Sequence, residues 1–229
     1  MVKTKVDIGL NEFLSEQLSF DIGATEKKSQ MGSNLTIEEI VGEIEPGIRR
    51  FGLTAGQFSL SDLITYILAK TGPADLYLST WAASADGLRK AFDFLKNGEI
   101  RSIKFLIDTG AKKYRNAEFG ALLDKFGDCV RTTRIHAKFV VIRNEKFDFV
   151  IRTSANLNKN TRLETFEIDE DKAFADFFQR FFDIAFEKIP VKENHTLKSS
   201  QKLKPILDHD QDGFTWDNHD FMDYQQCQI

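Results

Sequence analysis

The chain is poor in cysteine and has no long apolar run and no internal repeat. Cys129 and Cys227 stand alone, with neither a second sulfur nor a histidine close by, which sets aside a disulfide framework and a zinc site. No stretch approaches the roughly 18 consecutive apolar residues that a membrane span needs. The opening residues MVKTKVDIGLNEF also lack the apolar segment and small-residue cleavage site of a signal peptide. The expectation is a cytoplasmic protein without a membrane partner.

What is present is a globular composition. With 229 residues, 41% of them hydrophobic and 21 of them phenylalanine, the chain can bury a substantial core, and its size suits one domain with appendages. The formal net charge of -4 hides a strong polarity along the chain. Between Arg101 and Glu164 there are fourteen Lys and Arg against seven Asp and Glu, a local net charge of +7, whereas from Leu207 onward there are six Asp and no Lys or Arg. A basic centre of this kind attracts phosphates.

Three parts are expected. Residues 1–57, with short apolar clusters and the polar run GATEKKSQMGSN, read as a partly flexible N-terminal arm in which LTIEEIVGEIE is a possible short helix. Residues 58–190 carry the regular pattern. SLSDLITYILAKTG reads as a helix with Ser59 or Ser61 as N-cap and Gly72 as stop. Strands at 75–81 and 102–108 then alternate with helices around ADGLRKAFDFLKNG and NAEFGALLDKFG. VRTTRIHAKFVVIRNEKFDFVIRTSAN reads as consecutive strands turning at RNEK, ETFEI as one more, and DKAFADFFQRFFDIAFEKI as a long amphipathic helix whose phenylalanines serve the core or a dimer interface. The fold class expected is α/β, a mixed β-sheet flanked by helices.

Residues 191–229 form an acidic, aromatic tail. Asp208 to Gly213 matches the first half of a calcium-binding loop, but position twelve is His219 in place of a bidentate Glu. The tail is therefore read as an interaction segment for a protein partner or for the basic cleft.

The stretch IHAKFVVI sets His136 and Lys138 at the head of an apolar run. As a strand it would put both on the face of Val140 and Ile142. A hairpin to the next strand would return TSAN, with Ser154 and Asn156, beside them. A histidine nucleophile, a lysine charge and an amide with a hydroxyl suit an anionic tetrahedral phosphate, and Glu164 further on is a carboxylate able to orient the imidazole.

His136-Ala-Lys138, Ser154-Ala-Asn156 and Asn160-Thr-Arg-Leu-Glu164 together resemble the phospholipase D superfamily in its single-motif nuclease branch, over roughly residues 58 to 187. The resemblance implies a phospholipase D-like fold and a phosphodiesterase that cleaves nucleic acid, DNA before RNA, through a phosphohistidine formed on His136. Lys138 and Asn156 would hold the phosphate, with no metal and no cofactor. It further implies a homodimer, because each chain supplies one motif and the partner's histidine serves as general acid. Two positions depart from the pattern: Arg143 stands where the family has aspartate, and Thr153 where it has glycine. Glu167 competes with Glu164 for the orienting role; Glu164 is favoured because it shares a strand face with Phe166 and Ile168. Arg131, Arg134, Arg152 and Arg162 are candidates for the nucleic-acid backbone or plain surface charges, and Trp81 for a stacked base or a core position. A catalytically inactive nucleic-acid-binding or regulatory module on the same fold is the alternative, and lipid hydrolysis a weaker third.

Overall fold

The computed structural model describes residues 19–21, 35–81, 83–111, 116–157 and 162–189. The acidic tail, its calcium-like run and its proposed partner surface lie outside them, as do Asn160 and Cys227. Eight strands form one sheet: β1 (Ser19–Asp21), β2 (Arg49–Thr54), β3 (Ala74–Thr80), β4 (Ile100–Asp108), β5 (Val130–Thr133), β6 (Phe139–Arg143), β7 (Asp148–Thr153) and β8 (Glu164–Glu170). Their spatial order is β1-β2-β8-β7-β6-β3-β4-β5. The β3-β4 and β4-β5 pairs are parallel and the other pairs antiparallel, so the sheet is mixed, as the order of elements requires. Among the described residues five complete α-helices join it: α1 (Ile37–Val41), α2 (Leu60–Thr71), α3 (Ala85–Asn97), α4 (Asn116–Phe126) and α5 (Lys172–Lys188).

Local chemistry sets the helix ends. Ser59 caps α2 in a reciprocal box with Asp62, and Gly72 follows its last turn at φ 87°, a region open to glycine. Ser84 caps α3, Gly98 closes it in the left-handed region, and Asp171 caps α5 through the Phe174 amide at 3.0 Å.

Packing explains the unbroken apolar runs. On one face of the sheet Val140, Ile142, Phe149 and Ile151 join α1 to α4 in a single core; on the other Phe139, Val141 and Val150 meet Phe182 and Ala185 of α5. A strand covered on both faces has no polar side to show, hence FVVI. Each such phenylalanine, once fully buried, contributes roughly 1.5–3 kcal/mol. Of the α5 phenylalanines, Phe182 is fully buried and meets Phe139 and Tyr77 edge to face, while Phe174, Phe178, Phe181 and Phe186 are half-buried against the same cluster. No helix of the described residues is long and apolar enough to cross a membrane.

Two expectations are corrected here. Part of the segment read as an arm belongs to the sheet: β2 pairs with β8 along its whole length, and Ile40, Val41 and Ile48 lie in the core. RRFGLT hides this, because Gly52 interrupts the apolar alternation and β8, its partner, lies more than a hundred residues away. The second correction concerns His136 and Lys138, which are not in a strand. The β6 ladder begins at Phe139, where both neighbours end their pairing, at Ser79 and Arg152. Residues 134–138 instead form a connection, held by the Ser79 hydroxyl on the Ala137 carbonyl (2.8 Å) and by the Thr153 amide on the Lys138 carbonyl (3.1 Å).

Candidate active site at the carboxyl edge of the parallel strands

Strands β3, β4 and β5 end at one edge of the sheet, at Thr80, Asp108 and Thr133; β6 and β8 start there and β7 ends there. The crevice beyond the carboxyl ends of parallel strands is where open α/β sheets commonly bind ligands. His136 and Lys138, Ser154 and Asn156, and Glu164 lie at this edge, on three separate segments.

The first segment, 134–138, follows β5. His136 is exposed and Lys138 half-buried; the lysine ammonium donates to the His136 carbonyl at 2.8 Å and faces ring Nδ1 at 3.4 Å. Burial holds the Lys138 ammonium below the usual lysine range, and the carboxylates of Glu164 and Asp108 act in the opposite direction. The site therefore carries a partly desolvated cation within electrostatic reach of two anions.

The second segment follows β7. Ser154 is exposed; its hydroxyl donates to the Glu164 carboxylate and accepts from the Thr165 amide at 2.9 Å. Asn156 is half-buried, and its Oδ1 accepts from the Thr80 hydroxyl at 3.3 Å, which leaves the amide NH2 for another partner's oxygen. The same threonine oxygen receives the Leu157 amide at 3.4 Å. The Leu157 carbonyl in turn accepts from the Ser84 amide at 2.9 Å, which docks the segment on the start of α3.

The third segment opens β8. Glu164 stands at this edge and lines a shallow, solvent-open cleft with Thr54, Phe58, Thr153, Arg162 and Phe166. Glu167, the competing carboxylate, ion-pairs with Arg152, the residue opposite it in the β7-β8 register. Of the two, Glu164 is the one near Lys138.

The arginines divide. Arg131 is only 7% exposed; its guanidinium donates to the carbonyls of Ile189 (2.6 Å), Asp128 (2.8 Å) and Val130 (3.0 Å) and stacks on Phe186. A group so enclosed braces α5 and cannot track a nucleic-acid backbone. Arg152 pairs with Glu167 and Asp169 and stacks on Phe174, so its charge is already answered inside the protein. Arg134 and Arg162 are exposed, at the start of the His136 connection and beside the cleft. Trp81, directly after β3, is half-buried.

Arg143, which stands where the resemblance would put an aspartate, ends β6 at the far side of the sheet, four residues and so about 13 Å beyond Phe139. It bonds Asp148 at 2.6 Å and Gln179 at 2.7 Å and pairs with Asp176 at 2.6 Å. Its work there is to fasten the β6-β7 hairpin to α5, away from the site. Sequence reasoning missed Asp108 and Thr80, which hold the site loops from the ends of β4 and β3; the signal was a polar residue closing an apolar strand, twice, at the same edge. Among the described residues no group of three or more His, Cys, Asp or Glu is placed to hold a metal ion.

No protein-family model and no curated protein matches the chain. Solved structures do. TrmBL2, an archaeal chromatin protein with a novel mode of DNA binding, is similar at 13% identity and a TM-score of 0.39, over 64% of this chain and 54% of its own. Phosphatidylserine synthase from Haemophilus influenzae Rd KW20 is similar at 14% and 0.43, over 69% and 42%, and polyphosphate kinase from Porphyromonas gingivalis at 15% and 0.40, over 66% and 24%. This chain thus spans about half or less of each. Likeness at this level is a matter of architecture and carries no weight for activity.

Proposed function

We propose that the protein is a metal-independent phosphodiesterase that cleaves nucleic acid, DNA before RNA, with two chains composing one active site in the manner of the single-motif phospholipase D nucleases. The observation that supports this reading is the convergence of His136, Lys138, Asn156 and the Ser154–Glu164 pair on one sheet edge from three separate segments.

In this reading the neutral His136 ring attacks phosphorus through Nε2, a P–N bond forms and the P–O bond to the leaving nucleoside breaks. The partner chain's equivalent histidine gives its proton to the departing oxygen. Water then attacks phosphorus, loses a proton to that second histidine, and the P–N bond breaks to regenerate His136. Lys138 and the Asn156 NH2 stabilise the charge that builds on the non-bridging oxygens. Arg134 and Arg162 would meet neighbouring phosphates.

A second reading, a binding module without turnover, is favoured by one observation: Lys138 faces ring Nδ1, and an ammonium can only donate, so the free protein presents Nε2 with its proton on. The deciding experiment is incubation of labelled DNA and RNA in excess EDTA, wild type beside His136→Ala. Cleavage by wild type alone is expected; cleavage that needs added magnesium would sink the mechanism, and retention of nucleic acid without cleavage would select the second reading.

A further inference from the structure

We infer that Asp108 is a positioning residue of this site, fixing the connection that carries His136 and Lys138 and setting a negative charge beside the lysine; the inference rests on the phosphodiesterase reading. Asp108 is the last residue of β4, half-buried, between β3 and β5. Both its oxygens are engaged. Oδ1 accepts from the Gly110 amide at 2.6 Å, the local turn that an aspartate at a strand end commonly makes. Oδ2 reaches 27 residues along the chain to the amide of Ile135, at 3.0 Å, directly before His136.

The second bond is not explained by a turn. Residues 134–138 have left the ladder of β5 and have not joined that of β6, so their amides need partners from elsewhere. A carboxylate supplies two acceptors at once and, unlike an amide or hydroxyl, a full charge. That charge matters for Lys138. The charged groups that act on the ammonium are Glu164 from β8 and Asp108 from β4, with His136 on its own loop, and both carboxylates favour the protonated lysine against the burial that disfavours it. Glu164 is also bonded to Ser154. Asp108, by contrast, is tied only to backbone in the bonds described above.

The test is Asp108→Asn, which keeps the shape and one acceptor but removes the charge, with Asp108→Glu as the variant that keeps it. In full-length protein carrying 13C-labelled lysine, Lys138 should titrate at lower pH in D108N than in wild type, and D108E should stay with wild type. With bis(p-nitrophenyl) phosphate as substrate, kcat of D108N should fall about tenfold and the alkaline limb of its pH profile should move to lower pH. A purely structural role for Asp108 would lower stability without moving the lysine titration. Should D108N fail to fold, the wild type serves: the Ile135 and Gly110 amide protons should shift together in an acid titration, as their common acceptor takes up a proton. An unmoved Lys138 titration in D108N, or amides that respond separately, overturns the inference. A wild type inert to every phosphodiester overturns the catalytic reading and Asp108's part in it together, whereas an active wild type matched by D108N overturns Asp108 alone.

Discussion

The Lys138 ammonium lies 2.8 Å from the His136 carbonyl and 3.4 Å from Nδ1 of the same residue's ring. Because an ammonium has no lone pair to offer, Nδ1 is the acceptor and the neutral ring carries its proton on Nε2. Under the proposed mechanism that tautomer is the wrong one for attack. A phosphate is a stronger partner for lysine than a carbonyl, so in that mechanism its arrival would draw Lys138 off the ring and let the proton pass to Nδ1.

The first expectation follows directly. 15N spectra of the free protein should show His136 protonated on Nε2, and tungstate, a phosphate mimic, should convert it to the Nδ1 tautomer; a ring unchanged by saturating tungstate contradicts the scheme. Lys138→Ala should lower kcat by about 10²–10³ with little loss of stability. Since burial holds Lys138 below the ordinary lysine range and the cation is the working form, activity should fall as pH rises at a point below that range.

Assembly yields the second. If attacking and protonating imidazoles stand on opposite sides of one phosphorus, one neutral and one cationic, the pH profile should be bell-shaped and dilution to monomer should abolish activity. Mixed dimers of wild-type and His136→Ala chains should then run far below half the wild-type rate. A fully active monomer, or mixed dimers at half rate, would show that each chain works alone.

A third expectation tests the docking of the Asn156 segment on α3. A Cβ on Gly87 would come within 2.9 Å of the Leu157 carbonyl oxygen and 3.1 Å of its Cγ, so Gly87→Ala must displace the residues that follow β7. Overpacking of this kind costs about 1–3 kcal/mol. Thermal unfolding should record that loss, and kcat should fall about tenfold as the Asn156 amide leaves Thr80; unchanged kinetics would mean the segment does not need this seat.

The fourth concerns acid stability. Burial alone would raise the Asp62 carboxyl, but bonds from Lys90 (2.8 Å) and from the Ser59 amide (3.0 Å) and hydroxyl (2.7 Å) outweigh it and hold the carboxyl below its usual range. A carboxylate lowered in the folded state stabilises above its unfolded pKa, and that contribution is lost as pH falls through the folded value. Asp62→Asn should therefore cost about 1 kcal/mol near neutrality, the scale of a helix cap with an exposed ion pair, and nothing in strong acid. Urea titrations at the two pH values check it; a difference that persists in acid would assign the loss to packing.

Local chemistry was legible before any fold. The caps at Ser59 and Gly72, the alternation of strands and helices, the β6-β7 hairpin and the residue types of the site depend on neighbours a few positions apart, and periodicity reports them. Which of the arginines are enclosed and which are exposed was not legible. Arg131, Arg134, Arg152 and Arg162 are equivalent as letters, yet two are spent on carbonyls, carboxylates and aromatic rings from α5 and β8 while two are exposed. Likewise, His136 and Lys138 continue an apolar run in sequence, but a strand lasts only as long as its partners, and β3 and β7 stop pairing at Phe139. Ladder length, the seat of β2 beside β8 and the reach of Asp108 to Ile135 all join residues far apart in the chain. Only the tertiary structure decides these, because the free energy that fixes them comes from long-range pairing and burial, to which no local pattern is bound.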